Sequence, residues 1–329
     1  MKKIGVIGSG SWGTAITDVL ANNGHKVTLW SYLKEEYDMF LNYREHIKFL
    51  PGVILPESVE FTNDINKAVE GMDIIVVACP SFAVRSTIEK IKPFYKNQTI
   101  VSIAKGMEEG TLKCISSVIE EILMPKKQVC VLSGPSHAEE VGKKMCTTLV
   151  AASKDINIAL EIQDAFMCDY LRVYTSDDVI GVQLGGALKN VISLCVGIAD
   201  GLGLGDNTKA ALMTRGMSEI IRLGTKMGGK IETFSGLTGM GDLIVTCLSM
   251  HSRNRRAGIL IGQGKTPEEA KEEVGMVVEG ILATRSAYEL SKKYDVDMPI
   301  VEEAYGVLYL GYDVNSSMKN LMLRDKRAE

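Results

Sequence analysis

Several things are scarce in this 329-residue chain. It has only eight prolines and no low-complexity tract, which excludes a largely disordered protein. It has only four histidines, and its seven cysteines (Cys79, Cys114, Cys130, Cys146, Cys168, Cys195 and Cys247) never fall in a C-x-x-C spacing. Neither a zinc centre nor any other metal site is expected, and most of the cysteines lie in apolar runs, where the thiol acts as a small hydrophobe. A net charge of −4 gives no general attraction to nucleic acid or acidic lipid, so an anionic ligand needs a local basic cluster. The opening "MKKIGVIGSG" has the lysines of a signal peptide, but its apolar run breaks at Gly8, Ser9 and Gly10. The uncharged stretch around Lys189 is long enough to raise the question of a membrane span. Its glycines, Gln183, Asn190 and the lysine itself fit one poorly. A cytoplasmic protein without nucleic-acid or integral-membrane partners is expected.

What is present is ordinary globular material: 46% apolar and 24% charged residues, in a length that suggests about two domains. The first half alternates apolar runs with amphipathic segments. "KKIGVIG", "KVTLW", "DIIVVAC", "TIVSIA" and "QVCVLSG" suit strands buried on both faces of a parallel sheet. "TTLVAAS" and "LRVYTS" extend the strand set. Between the runs lie helical patterns, among them Thr14 to Asn22 and a stripe of Leu112, Ile115, Ile119 and Ile122. Beyond residue 180, long helical patterns such as "NTKAALMTRGMSEIIRLGTKM" and "GILATRSAYELSKKY" dominate. The expectation is an α/β protein with a doubly wound Rossmann-type domain over 1–180 and a mainly α-helical domain over 181–329.

"GVIGSGSWGTA" places Gly8-x-Gly10-x-x-Gly13 between a strand and a helix. The first glycine makes the turn, the second lets backbone approach a pyrophosphate, and the third packs helix on strand. The helix N-terminus then offers its free N–H groups to phosphate. An NAD site also wants a carboxylate at the end of the second strand, where Ser31 stands instead. That substitution leans the expectation toward NADP, with Ser31 and Lys34 near a 2′-phosphate and Tyr32 stacked on adenine. A polar strand end without a ligand is the plainer alternative.

Lys189 is the one charged residue in "LGGALKNVISLCV". A lysine buried among apolar residues must be paired or lose its proton, unless it reaches out to solvent. Lys105 follows a strand, at the sheet edge where α/β enzymes bind ligands. It also reads as a solvated loop lysine. Arg253, Arg255 and Arg256 form the one local basic cluster, in which Arg253 offers a fork to phosphate with Ser252 and Asn254 as neutral donors. Asp242 reads as a partner of Lys189, a partner of a substrate hydroxyl, or a helix cap. "SGPSHAEE" reads as a helix N-cap as well as a ligand loop. Gly185 and Gly186 keep the helix face before Lys189 open for a ligand or another backbone.

Together "GSGSWGTA", "SIAKGME", "LSGPSHAEE", "GGALKNVI", "GLGDNTKAALMTRG", "TGMGDLIVTC", "SRNRRAG" and "VVEG" resemble the bacterial-type NAD(P)-dependent glycerol-3-phosphate dehydrogenases, in order along nearly the whole chain. The resemblance implies interconversion of dihydroxyacetone phosphate and sn-glycerol 3-phosphate, which supplies the phospholipid backbone. It implies Lys189 as the proton-transferring residue, with Lys105 and Asp242 beside it. It further implies substrate contacts from Gly134, Ser136, Ser252, Arg253 and Asn254. Cofactor contacts follow from Gly8, Gly10, Ser11, Trp12, Gly13, Ser31, Tyr32, Lys105, Ala138, Arg253, Val277 and Glu279. His137 has no supported role, Asp206 to Lys209 read as helix entry, and Arg215 is a lesser substrate candidate. The active site is expected in the cleft between the domains, and a homodimer is the expected assembly. The competing readings are a reductase of a keto or hydroxy acid, and a dinucleotide-binding sensor without turnover.

Overall fold

The computed structural model describes residues 1–326, and the chain divides into two compact units: 1–108 with 113–183, and 109–112 with 184–329. In the first unit, strands β1 (Lys3–Ile7), β2 (Lys26–Trp30), β3 (Glu60–Thr62), β4 (Ile74–Val77), β5 (Thr99–Ser102), β6 (Cys130–Ser133), β7 (Thr147–Ala152) and β8 (Leu171–Ser176) form one sheet. Its order is β3-β2-β1-β4-β5-β6-β7-β8. From β3 to β6 all neighbours are parallel. The chain runs outward one way from β1 and the other way from β4, which makes the gap between them the switch point of a doubly wound sheet.

Side-chain alternation explains why these strands read as continuous apolar runs. Ile74 and Val76 of β4 enter one core cluster while Ile75 and Val77 enter the other. Both faces are therefore covered, and each such side chain contributes roughly 1.5–3 kcal/mol on burial. The covering helices are α1 (Ser11–Asn22), α2 (Lys34–Tyr43), α3 (Val84–Ile91), α4 (Ile115–Leu123), α5 (Ala138–Gly142) and α6 (Ile156–Phe166).

Two local expectations are corrected, and the far edge of the sheet adds a change of direction. Helix α1 begins at Ser11, three residues before Thr14, directly on the fingerprint turn. Leu112 is not on the α4 stripe: it has φ of 58°, and a bridge between Met107 and Cys114 closes the preceding loop, so the helix starts only at Ile115. Strand β7 joins β6 antiparallel, with β8 parallel to β7. Thirteen residues, including the five-residue α5, connect β6 to β7.

The second unit is helical: α7 (Val179–Gly201, whose first residues lie in the first unit), α8 (Asp206–Lys226), α9 (Ile231–Ser235), α10 (Asp242–Leu248), α11 (Arg253–Gly262), α12 (Pro267–Val274), α13 (Glu279–Tyr294), α14 (Pro299–Tyr309) and α15 (Val314–Met322). A π-helical turn, Leu237–Gly241, precedes α10. Helix α7 is buried from Gly181 to Ala199. Among the described residues it is the one helix long and apolar enough to cross a membrane, and 94% of its most apolar window is buried in the protein. It packs backbone to backbone on α11, where a Cβ at Gly258 would lie 2.2 Å from the Leu194 carbonyl oxygen. Burial also pushes the thiols of Cys79, Cys130, Cys195 and Cys247 up, consistent with cysteine as a core residue.

One buried acid joins two helices of this unit. The Glu219 carboxylate on α8 accepts hydrogen bonds from the N–H groups of Ile300 (2.8 Å) and Val301 (3.2 Å), at the start of α14. Burial pushes this carboxyl from an ordinary 4.5 up to about 7, only partly offset by those two donors. Between these values the folded protein holds a proton that the unfolded chain releases, so the contribution of Glu219 to stability falls as pH rises through that window. The loss is on the order of 3 kcal/mol. Urea unfolding of the wild type and Glu219→Gln from pH 4.5 to 8 checks this: the difference between the two must change in that window, and parallel profiles would contradict it.

Candidate active site

Each unit carries its own cluster of predicted residues. In the first unit the fingerprint turn is built by backbone proximity. Gly8, with φ of 118°, ends β1, and a Cβ on Gly13 would lie 2.0 Å from the Gly8 carbonyl oxygen, so α1 can sit on β1 only with glycine there. Gly10 is different. It is the residue before α1, and a Cβ on it would meet nothing within 4 Å. Its missing side chain serves no contact inside the protein and leaves open space against the helix N-terminus. That helix has no side-chain cap and no acid in its first turn. These features fit a pyrophosphate, and the buried Trp12 Nε1, which has no hydrogen-bond partner within the protein, is a further donor beside the turn. Ser31 is buried at the end of β2, whereas Tyr32 is 67% exposed with the Lys90 ammonium 4.7 Å from its ring centre. Lys34 is drawn to Asp38 one turn along α2, at 2.7 Å.

Lys105 lies beyond the end of β5, and its ammonium donates to the Gly134 carbonyl at 2.8 Å, with Ser136 Oγ at 3.5 Å. Gly134 follows β6, with φ of 140°. Parallel pairing of β5 with β6 puts both loops at one carboxyl edge, so sheet topology brings together residues far apart in sequence. Ser136 Oγ donates to the Gly134 carbonyl instead of capping α5, whose N-cap position is His137. Ala138 is the buried first residue of that helix.

In the second unit Lys189 is only 5% exposed, and it is not alone. Its Nζ lies 2.5 Å from Asp242 Oδ1 and 2.6 Å from Thr246 Oγ1. Asp242 opens α10 and Thr246 follows it by one turn, so a single helix face supplies both partners. Asp242 is thus paired with the lysine and does not cap α10, whose N-cap position belongs to Gly241. One turn along α7 from Lys189, Ser193 Oγ donates to the Thr246 carbonyl at 3.0 Å and lies 3.1 Å from Ser252 Oγ. Ser252 caps α11 by accepting from Arg255 N. Asn254 donates to Asn190 Oδ1 at 2.9 Å and accepts from Gly280 N at 2.8 Å, one residue after Glu279.

The arginine cluster divides. Arg255 pairs with Asp200 at 2.6 Å, and Arg256 donates to the Val274 carbonyl, so both brace the helices. Arg253 is the half-buried first residue of α11, and Val277 is half-buried before α13. Arg215 is exposed on α8, and Asp206 to Lys209 do form the entry to that helix, with Lys209 paired to Asp200 and Asp206. Gly185 serves another backbone: a Cβ there would lie 2.5 Å from the Thr238 carbonyl oxygen of the π-helical turn. Thr246, Ser193 and Asn190 were missed from sequence. Their signal was the polar spacing of three to four residues within apolar helices, at 189–193 and 242–246.

Removing one member of a buried ion pair strands the other's charge. Lys189→Ala is therefore expected to lower unfolding free energy by about 3–5 kcal/mol at neutral pH, and Lys189→Ala/Asp242→Leu to recover much of it. Denaturant titration of both variants checks this coupling; equal losses in the single and double variants would contradict it.

Comparison with known proteins gives a consistent picture. Residues 3–159 match the family model described as the NAD-dependent glycerol-3-phosphate dehydrogenase N-terminus, and residues 178–319 match the one for its C-terminus. A curated protein of Agathobacter rectalis named glycerol-3-phosphate dehydrogenase, NAD(P)+, is 54% identical over 330 residues, covering 100% of this chain and 98% of that protein. One of the same name from Fusobacterium nucleatum is 54% identical over 331 residues, covering 100% and 99%. A crystal structure of glycerol-3-phosphate dehydrogenase from Coxiella burnetii is similar with a TM-score of 0.94 at 36% identity, covering 98% of this chain and 99% of that one.

Proposed function

The chain belongs to the NAD-dependent glycerol-3-phosphate dehydrogenase family, and on that premise we propose how its residues divide the work. It is an oxidoreductase that interconverts sn-glycerol 3-phosphate and dihydroxyacetone phosphate with NAD(P), and so supplies glycerol 3-phosphate for phospholipid synthesis. The dinucleotide belongs to the domain at 1–180 and the substrate chemistry to the domain at 181–329. The bound nicotinamide supplies or accepts the hydride. Gly8, Gly10, Ser11, Trp12 and Gly13 receive the pyrophosphate half, Ser31 and Tyr32 the adenosine half, and Ala138, Val277 and Glu279 border the remainder.

The observation that carries this reading is the buried ammonium of Lys189, held by Asp242 and Thr246. As hydride reaches the carbonyl carbon, negative charge grows on the carbonyl oxygen and a proton must arrive there. Lys189 gives that proton in reduction and takes it back in oxidation. Asp242 compensates the lysine's charge and aims it, and Lys105 assists, as the family resemblance implies. Arg253 forks onto the phosphate, while Gly134, Ser136, Ser252 and Asn254 line the substrate. Asn254 and Ser252 do so from positions already fixed by Gly280 and Arg255. The one long apolar helix among the described residues is buried as a core helix, which supports the reading without integral-membrane association; a cytoplasmic location, a homodimer and no nucleic-acid partner complete the proposal.

Two measurements test the assignment. Lys189→Ala should lower kcat by about 10²–10⁴-fold while dinucleotide binding is kept; near-normal kcat refutes the proton role. Arg253→Ala should raise KM for dihydroxyacetone phosphate by about 10–100-fold. The wild type should strongly prefer that substrate to free dihydroxyacetone, and equal turnover of the two would remove the phosphate assignment.

A further inference from the structure

The absence of an acid beside Ser31 suggested NADP, but the fold brings an acid to the fingerprint turn from further along the chain. Glu36, in the first turn of α2, accepts a hydrogen bond from Ser9 Oγ at 2.7 Å. Ser9 stands between Gly8 and Gly10 and is 3% exposed. Glu36 thus sits against the turn that receives the pyrophosphate, although it comes from α2 and not from the end of β2, where a ribose-binding acid ordinarily stands. The Glu36 side chain keeps part of its surface accessible.

The surroundings hold this carboxylate in place and in its charged form. Its Oε1 lies 3.7 Å from His46 Nε2, on a ring that is 1% exposed and packed between Phe40 and Phe49. His46 Nδ1 accepts from Phe49 N at 3.1 Å, which leaves Nε2 as the proton-bearing nitrogen facing Glu36. The His46 ring first, and the Ser9 hydroxyl after it, hold the Glu36 carboxyl below the usual carboxylate range against the opposing effect of burial; Lys48 adds a smaller pull. Of the nearby cations, Lys34 is paired with Asp38, and Lys90 lies over the Tyr32 ring.

We propose, building on the dinucleotide reading above, that Glu36 accepts the adenosine ribose hydroxyls and sets the cofactor preference, favouring NADH over NADPH. A carboxylate accepts hydrogen bonds from vicinal hydroxyls, whereas a 2′-phosphate brings like charge against it and offers no donor. The preference therefore runs opposite to the one suggested by Ser31 alone. Ser9 and His46 are positioning residues in this account, since they act through Glu36.

The test is a fluorescence titration of NADH and NADPH, without triose substrate, on the wild type, Glu36→Gln and Lys90→Ala. The wild type should bind NADH about 10-fold or more tighter than NADPH. Glu36→Gln should shrink that ratio by about 10-fold, chiefly through gained affinity for NADPH, and Lys90→Ala should leave it within about twofold. A wild type that prefers NADPH overturns the proposal whether or not the variants fold. A ratio unmoved by Glu36→Gln, with both affinities reduced alike, overturns it too, because Glu36 then only holds the turn. A loss of NADPH binding confined to Lys90→Ala gives the 2′ position to Lys90 and overturns it as well. A wild type that binds neither dinucleotide defeats the underlying reading instead, a result distinct from any of these.

Discussion

The helical unit is organised by one constraint: a charge taken out of water must be met by another charge inside the protein. Lys189 stands in a helix whose every residue from Gly181 to Ala199 is buried, so its ammonium has no solvent to turn to. Asp242 and Thr246 meet it, and because they lie one turn apart they fix which face of α10 turns toward α7. Ser193 then reaches the Thr246 carbonyl and Ser252, and Ser252 in turn sets the first turn of α11. A proton-transferring lysine needs this kind of fixed setting, because a mobile ammonium could not be aimed at one oxygen. Under the proposed role of Lys189, stability and chemistry depend on the same pair.

The sheet unit solves a different problem, with backbone in place of side chains. Its fingerprint turn closes because Gly13 lets α1 touch β1, while Gly10 leaves space at the helix N-terminus. Little there is charged except what the fold brings in from a distance. Lys105 is oriented by the Gly134 carbonyl across the β5–β6 edge, and Glu36 reaches Ser9 from α2. Both contacts depend on parallel strands ending at one edge, which collects loops that are dozens of residues apart in sequence.

Much of this was legible in advance. The apolar runs became β1, β2, β4, β5 and β6, because strands covered on both faces leave a continuous apolar signature. Lys189 and Asp242 stood out, since charge in an apolar setting is costly enough to need a reason. The reading failed where local pattern lost to longer-range geometry. Leu112 has the right spacing for the α4 stripe but sits in a left-handed turn, and β7, a strand as its composition indicates, runs antiparallel to β6 and parallel to β8. Ser252 and Asn254 were read as ligand donors, yet their side chains also brace Arg255 and Gly280, which no spacing rule reveals.

What the sequence alone determined is the class of fold, the dinucleotide turn and the identity of the buried lysine. Each rests on nearest-neighbour physics: side-chain alternation, glycine's freedom, and the cost of desolvating a charge. Tertiary structure alone decided which partner each polar group takes. Asp242 could have capped a helix or faced solvent, and Glu36 could have been one more surface acid on α2. Hydrogen bonds and ion pairs act only over a few ångströms, so such pairings come into being only once distant segments are packed side by side.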